Sequence, residues 1–143
     1  DVEAGLLYPD ASFDGIVCFE VFEYLRDPAR AIFEIQRLLK PGGAALISLP
    51  FFYPDHSDRI RYTEQRALEL FRPLFADVKV FRIGNAYTAL WDIIRKQAQR
   101  LRLRPLKILI SGLIFPLYAL LKIFGLDRRT DNWYSGLFFV VRR

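Results

Sequence analysis

The hydrophobic pattern of the first fifty residues predicts two buried strands joined by a helix. Phe13–Phe19, with the sequence FDGIVCF, is a short and nearly continuous apolar run, and Ala44–Leu49 is another. Between them, Asp27 can cap a helix that has Pro28 at its first position, and Lys40-Pro41-Gly42-Gly43 can stop it. The apolar residues of this helix recur at helical spacing: Ile32, Ile35 and Leu39. A strand, a helix and a strand with short connections predict a right-handed crossover in a parallel sheet.

The remaining pattern predicts one more helix and two more strands of the same sheet. Thr63 can cap a helix that ends near Asp77, with an apolar face formed by Leu68, Phe71, Leu74 and Phe75. Val78–Ile83 alternates like a strand, and Leu137–Val141 is apolar and rich in β-prone residues. We expect the terminal Arg142 and Arg143 to lie in solvent.

About fifty residues separate the last two predicted strands, which is long for a connection inside a compact domain. Ile108–Leu121 in this insertion is uncharged and almost wholly apolar, yet shorter than the roughly twenty residues that span a bilayer. Gly112 and Pro116 also interrupt it. An interfacial or re-entrant pair of hydrophobic helices fits this pattern better than a full span, and a helical cap packed over the sheet is the alternative.

Charge is divided unevenly along the 143 residues, whose formal net charge is +5. Residues 1–94 contain ten Lys and Arg against fourteen Asp and Glu, whereas residues 95–143 contain eleven against two. Residues 95–126 are therefore expected to meet an anionic membrane surface, unless their arginines are simply a solvated face. A nucleic acid is not expected as a partner, because the aromatic side chains of this segment are not interleaved with its arginines.

Composition excludes several classes of protein. With 52% hydrophobic and 15% aromatic residues, the chain is neither a disordered tail nor a collagen-like fibre. Its single cysteine, Cys18, cannot form an internal disulfide and lies in an apolar strand, so we expect a cytoplasmic protein with an inert thiol. One histidine and one cysteine supply too few strong ligands for a metal site.

Two loops carry the candidate chemistry, because open α/β sheets bind ligands beyond the carboxyl ends of their strands. The loop after the first strand holds Glu20, Glu23 and Tyr24; the two carboxylates are either site residues or ordinary solvated residues. The loop after the second strand holds His56, Asp58 and Arg61. His56 can accept a proton from a hydroxyl substrate and Arg61 can hold an anionic group, unless Asp58 and Arg61 simply pair with each other.

The order of these pieces resembles the second half of a class I methyltransferase, most closely the type 11 methyltransferase domain. The resemblance rests on four segments and their spacing: Asp1–Ala4, Leu7–Asp14, Phe22–Pro28 and Leu38–Gly43. It implies an α/β fold, namely a partial Rossmann-like methyltransferase sheet with a hydrophobic helical insertion before its last, antiparallel strand. The implied domains are a partial methyltransferase domain in residues 1–90, a basic and hydrophobic insertion in residues 91–130, and the last strand in residues 131–143.

The resemblance also implies S-adenosylmethionine as cofactor. Asp1 resembles the acidic residue that accepts a hydrogen bond from the adenine amino group, and Val2 resembles its neighbour, whose backbone lies along the adenine ring. Phe19 and Glu20 resemble the residues that flank the cofactor. The family's glycine-rich loop precedes the position of Asp1, and this chain contains no GxGxG-type sequence. We therefore expect a fragment that lacks most of the cofactor site. Where the family often has Glu-His, this chain has Glu23-Tyr24.

His56–Thr63 is similar to a stretch of a subgroup, many of whose members act in cell-surface glycan or lipid biosynthesis. This similarity favours His56, Asp58 and Arg61 as catalytic or substrate-side residues. The expected function is methyl transfer to a small-molecule, glycan or lipid-linked acceptor by a cytoplasmic protein, peripheral at the inner face of the membrane. The rival hypothesis is a catalytically silent, membrane-associated or interaction module that keeps the α/β frame.

Overall fold

The computed structural model describes residues 1–52, 57–100, 104–125 and 133–143. Within them the strands are β1 (Phe13–Phe19), β2 (Leu39–Pro50), β3 (Asp77–Ile83) and β4 (Gly136–Arg142). The helices are α1 (Pro28–Leu38), α2 (Glu64–Phe71), α3 (Ala86–Arg100) and α4 (Arg104–Ile123), and Phe22–Tyr24 forms a short 3-10 turn. The predicted order of strands and helices is confirmed.

The strands form one sheet in the order β1-β2-β4-β3. β1 and β2 are parallel, with Phe19 opposite Ser48, as the predicted crossover requires. β4 pairs with β2 in the antiparallel sense, with Phe138 opposite Ser48, so the last strand of the chain lies inside the sheet. This confirms the antiparallel last strand and the mixed α/β fold class.

Helix α1 begins as predicted. The Asp27 carboxylate accepts a hydrogen bond from the Arg30 amide at 3.2 Å, and Pro28 occupies the first turn. Its apolar stripe includes Ala31, Ile32 and Ile35, all buried. The helix packs this stripe on the sheet.

Helix α1 ends at Leu38, beside the predicted stop at Lys40-Pro41-Gly42-Gly43, but the predicted start of the second strand at Ala44 was wrong, because β2 already starts at Leu39. The C-terminal residue extends the pairing here: the Gly42 amide donates to the Arg143 carbonyl at 3.1 Å, and the Arg143 amide donates to the Gly43 carbonyl at 3.0 Å. Arg142 is exposed as expected, but Arg143 is half-buried. Its guanidinium donates to the carbonyls of Arg37 (2.9 Å) and Leu39.

The predicted end of helix α2 was also wrong. The helix is capped by Thr63, whose hydroxyl accepts from the Arg66 amide at 3.2 Å, but it ends at Phe71 and not near Asp77. Pro73 has no amide hydrogen and its ring clashes with a preceding turn, so the helix cannot continue through it. Phe75 is nevertheless buried, from a position beyond the helix.

The core lies on one face of the sheet. Residues of β2 and β4 that point to this face are buried together with residues of α1 and α2: Ile47, Leu49, Leu137, Phe139, Val141, Ile32 and Phe71. Phe71 packs edge-to-face on Phe22 and Phe139, at centroid distances of 5.9 and 4.9 Å. On the opposite face Phe19 and Phe81 are about half exposed. Helices α1 and α2 therefore cover the core face of this sheet.

The chain divides into two compact units. The sheet unit comprises Asp1–Arg82 and Gly136–Arg143, and the helical unit comprises Ile83–Ser135. In the helical unit, Asn85 precedes α3 and its side chain accepts from the amides of Tyr87 (3.1 Å) and Thr88 (3.0 Å). Helices α3 and α4 pack on each other. Among the described residues, neither helix is long and apolar enough to cross a membrane.

Candidate cofactor and substrate site

The candidate site lies where β1 and β2 end. Because the two strands are parallel, Glu20 and Phe51, which directly follow them, are at the same edge of the sheet. Phe19 is the last residue of β1. The topology thus brings the two candidate loops to one edge.

Glu20 is held in an unusual backbone conformation by Ser48. Its φ is +52°, in the left-handed region that favours glycine. The Glu20 amide donates to the carbonyl and the hydroxyl of Ser48 at 3.3 and 3.1 Å, and the Ser48 hydroxyl donates to Glu20 Oε1 at 2.6 Å. Ser48 is buried and the Glu20 side chain is exposed. A buried serine therefore fixes an exposed carboxylate at the sheet edge.

Aromatic rings lie on the same face as Ser48. Phe19 on β1 and Phe138 on β4 are the in-register neighbours of Ser48 on its two sides. Their ring centroids are 5.8 Å apart, and Phe138 lies 6.5 Å from Phe81 of β3. Because in-register residues point to the same side of a sheet, the two rings flank the serine hydroxyl.

The N-terminal segment is attached to helix α1. Glu3 Oε1 accepts from the amides of Arg26 (2.8 Å) and Asp27 (2.5 Å), while Glu34 Oε1 accepts from the Leu6 amide at 2.7 Å. The Asp1 carboxylate accepts from the Glu3 amide at 3.0 Å. These contacts fix the segment that contains both Asp1 and Val2.

Arg37 strengthens this attachment. Its guanidinium donates to both carboxylate oxygens of Glu34, at 2.6 and 2.8 Å, and to Asp10 at 2.5 Å. It also donates to the carbonyls of Leu6 and Tyr8. The Arg37 hydrogen bonds lower the pKa of Glu34 to about 2, with the Leu6 amide acting in the same direction.

Val2 lines an apolar groove of about 370 Å³ that runs along β1. Val17 and Val21 line it from the strand and the following loop, and Ile35 from helix α1. Val2 also lines a second, more polar groove of about 380 Å³ beside Asp27 and Arg30. Asp1, Phe19 and Glu20 line neither of these two grooves.

The solvated-loop interpretation was wrong for Glu23, whose side chain is fully buried. Its carbonyl accepts from the amides of Arg59 at 2.7 Å and Ile60 at 3.2 Å, which joins the two candidate loops. Tyr62, 2% exposed, lies in the same region, and burial raises its pKa, with the Glu23 charge contributing in the same direction. Tyr62 was not among the predicted site residues, because a tyrosine before a helix cap carries no distinctive sequence signal.

Asp58 and Arg61 form an ion pair with each other, as in the alternative interpretation of their loop. The Asp58 side chain is 7% exposed, and Arg61 Nη1 donates to the Phe51 carbonyl at 3.0 Å. This contact holds the pair against the residue that follows β2. His56 lies outside the described residues. The catalytic roles of all three residues stay predictions.

The Cys18 thiol is unreactive. Burial raises the pKa of the Cys18 thiol to about 11, with a further contribution from the Glu23 charge. At neutral pH the group is therefore a thiol and a poor nucleophile. No group of three or more His, Cys, Asp or Glu that could hold a metal ion occurs among the described residues.

Comparison with known proteins identifies relatives of the first third of the chain. Residues 1–47 match a family model described as a methyltransferase domain. A Mycolicibacterium smegmatis protein named "Probable S-adenosylmethionine-dependent methyltransferase/" is 49% identical over 47 residues, which are 33% of this chain and 18% of that protein. The match therefore spans less than one fifth of that curated relative.

Solved structures share the fold over the whole chain. The (4+2)-cyclase SpnF has a TM-score of 0.54 and 19% identity, over 100% of this chain and 53% of that one. A Haemonchus contortus phosphoethanolamine N-methyltransferase 2 in complex with S-adenosyl-L-methionine has a TM-score of 0.57 and 17% identity, over 100% of this chain and 36% of that one. At such identity the likeness concerns the fold alone, and the cyclase shows that one fold carries different reactions. Residues 1–47 are thus similar to a methyltransferase domain, and the whole chain shares the fold of these solved structures.

Proposed function

We propose that this protein transfers a methyl group from S-adenosylmethionine to a small-molecule, glycan or lipid-linked acceptor. The observation that carries the proposal is the family match over residues 1–47. That range contains all four of the predicted cofactor-side residues: Asp1, Val2, Phe19 and Glu20. The position of Phe19 and Glu20 at the carboxyl edge of the sheet, where open α/β folds bind ligands, supports it.

In this proposal the N-terminal segment contacts the adenine. The Asp1 carboxylate accepts from the amino group, and Val2 offers an apolar surface to the ring beside the groove along β1. The Glu3, Glu34 and Arg37 contacts support this role because they fix the segment before any ligand binds. Preorganisation of this kind reduces the entropy that cofactor binding costs.

On the acceptor side, methyl transfer mainly needs alignment, because the sulfonium is already a strong electrophile. Arg61 would hold an anionic part of the acceptor, and Asp58 would orient Arg61 through their ion pair. His56 would accept the proton of a hydroxyl acceptor. A carboxylate or an activated carbon needs no base, and His56 would then only bind.

A further part of the proposal is that the glycine-rich cofactor loop lies outside these 143 residues, since the sequence contains no GxGxG pattern. Calorimetric titration with S-adenosylhomocysteine tests this. A form extended upstream of Asp1 is expected to bind, and the 143-residue chain is expected to bind much more weakly. Binding by neither form would contradict the methyltransferase proposal and favour the silent module.

The role of His56 is tested by His56→Ala in the form that binds S-adenosylhomocysteine. General-base catalysis contributes about a hundredfold or more, so turnover of a hydroxyl acceptor should fall by that factor while cofactor affinity stays unchanged. Thr63→Ala, which removes a helix cap in the same region, controls for a general loss of structure. A fall in turnover of less than about threefold would contradict the role of base.

We also propose that the helical unit contacts an anionic membrane surface, because α4 and the residue after it expose an apolar stripe. The stripe comprises Leu109, Leu113, Leu117, Leu120 and Phe124, each at least half exposed and at helical spacing. Arg95, Arg100 and Lys122 in the same unit are exposed cations. An apolar helix face accompanied by basic residues is typical of interfacial membrane binding.

Co-sedimentation with phosphatidylcholine vesicles, with and without phosphatidylglycerol, tests this second proposal. The chain should bind the anionic vesicles more strongly, and Leu113→Glu with Leu117→Glu should weaken binding at least tenfold, since each leucine loses about 1.5 to 3 kcal/mol of apolar burial. Leu7→Glu is the matched control, because Leu7 is fully exposed in the sheet unit. Equal loss in the control, or no binding to either vesicle, would overturn the proposal.

A further inference from the structure

We propose that Glu20, Phe19 and Phe138 form a subsite for an alkylammonium group, and that Ser48 is its positioning residue. The first observation is the fixed carboxylate. Glu20 Oε1 accepts from the buried Ser48 hydroxyl at 2.6 Å, and among the described residues Glu20 Oε2 has no hydrogen-bond partner. One carboxylate oxygen is thus held by the protein while the other is available to a donor.

The backbone of Glu20 is the second observation. A φ of +52° is costly for a residue with a side chain, and such residues persist where the surroundings over-determine them. Here the Glu20 amide and carboxylate are both bonded to the one Ser48 hydroxyl. The Ser48 hydroxyl therefore holds both the backbone and the exposed side chain of Glu20 in place.

The third observation is the aromatic surface beside the carboxylate. Phe19 and Phe138 flank Ser48 in register, with centroids 5.8 Å apart, and the Phe19 ring is 49% exposed. The faces of such rings attract cations through their quadrupole. A carboxylate next to one exposed and one half-buried phenyl ring suits an ammonium group that carries N–H donors and alkyl substituents, and it suits a neutral hydroxyl less well.

The sheet unit as a whole is close to neutral, with thirteen Asp and Glu against twelve Lys and Arg in residues 1–82 and 136–143. Arg61, the candidate cation at the same sheet edge, already pairs with Asp58 and donates to the Phe51 carbonyl. The attraction for a cation at this edge therefore comes from the Glu20 carboxylate itself and not from the net charge of the unit.

The identification of this ammonium group as the methyl acceptor rests on the function proposed above. The bound ammonium first loses a proton to water, and the nitrogen lone pair then attacks the methyl carbon of S-adenosylmethionine. The N–C bond forms as the C–S bond breaks, and the electron pair of that bond stays on sulfur, which gives S-adenosylhomocysteine. The nitrogen becomes positive again as it is methylated, so the Glu20 carboxylate stabilises the charge that develops in the transition state.

Titration of the full 143-residue chain with ethanolamine, followed by NMR, tests the subsite without any need for turnover. Ethylene glycol is the control ligand, because it replaces the ammonium by a neutral hydroxyl. Ethanolamine should shift the signals of Phe19, Glu20, Ser48 and Phe138, and ethylene glycol should not. Equal affinity for the two ligands, or no response to ethanolamine, would overturn the proposal.

Variants separate binding by this subsite from binding by any surface carboxylate. Glu20→Gln keeps the shape and removes the charge, and it should weaken ethanolamine binding about tenfold, the effect of one charge-assisted hydrogen bond. Glu69→Gln, at a half-exposed carboxylate on α2, should change nothing. Loss of binding in both variants, or in neither, would overturn the subsite.

Ser48→Ala tests the positioning role. It should weaken ethanolamine binding about threefold, an effect on the order of a neutral hydrogen bond, and Ser48→Thr, which keeps the hydroxyl, should restore it. Equal loss in both variants would show that only packing beneath the rings matters and would overturn the role of Ser48. Ethanolamine binding together with failure of every form to bind S-adenosylhomocysteine would refute the proposed function and leave the ammonium subsite standing.

Discussion

The sheet unit and the helical unit differ in the large apolar side chains that they bury. In the sheet unit, large side chains such as Phe22, Phe71 and Phe139 are fully buried and contact one another. In the helical unit, Leu113 is 65% exposed and Phe124 is 73% exposed. The buried residues in the helical unit include small ones, Ala89 and Ala98. Large apolar residues therefore form a packed core in the first unit, whereas the described part of the second unit exposes several of them.

The largest effect that tests this contrast is expected from a pair of phenylalanine substitutions. Phe71→Ala should destabilise the chain by about 3 to 5 kcal/mol, because it leaves a cavity among packed rings. Phe124→Ala, the matched change in the helical unit, should cost less than about 0.5 kcal/mol. Urea denaturation measures both. Similar losses at the two positions would show that the helical unit has a core that includes Phe124.

A pH-dependent effect is expected from the contacts between Glu34 and Arg37. The folded pKa of Glu34 is lowered to about 2 from its usual 4.5, so its contribution to stability is fully present above pH 4.5 and is lost as the pH falls toward 2. At pH 6, Glu34→Gln should therefore have a lower free energy of unfolding than the native chain, with a smaller loss than Phe71→Ala causes. The difference in stability between Glu34→Gln and the native chain should narrow toward pH 2. Denaturation across this range checks it. A gap that does not change with pH would refute the role of the charge.

Helix capping should have a smaller effect. Asp27→Ala removes the side chain that accepts from the Arg30 amide and should cost about 1 kcal/mol. Asp27→Asn keeps an acceptor oxygen and should recover most of the loss. Equal loss in the two variants, measured by thermal denaturation, would indicate that the carboxylate charge matters more than the cap.

The smallest effect is expected at Ala11, which has a φ of +54°. Ala11→Gly should stabilise the chain by about 0.5 to 1 kcal/mol, because glycine adopts this conformation without the steric cost that a Cβ imposes. The Ala11 amide, which donates to the Arg37 carbonyl at 2.9 Å, is unchanged by the substitution. Destabilisation in urea would show that the entropy of the unfolded glycine chain outweighs the strain.

The fold could be predicted from the sequence wherever local signals agreed. Asp27 with Pro28 marked the start of α1, and the continuous run Phe13–Phe19 marked β1 with its observed bounds. One error arose where partners distant in the chain decide the structure. Pairing of Gly42 and Gly43 with Arg143 extended β2, and no local pattern signals that pairing.

Less of the candidate site could be predicted. Glu20 was identified from its position after a strand, but Ser48 was not, since its role depends on the register that places it opposite Phe19. For Glu23, one of the two alternatives was a solvated loop residue. Its burial follows from the packing of the 3-10 turn Phe22–Tyr24. Short sequence segments do not determine strand register or loop packing, so contacts of this kind can be identified only from the structure.

The central claim is that the sheet unit binds the cofactor at the carboxyl edge of its strands and that the helical unit serves another contact. Hydrogen exchange with and without S-adenosylhomocysteine, in a form of the protein that binds it, tests this most directly. The ligand should slow exchange at the N-terminal segment and in the loop after β1, and leave α4 unchanged. Protection concentrated on α4, with none at residues 1–4 or 19–24, would contradict the account.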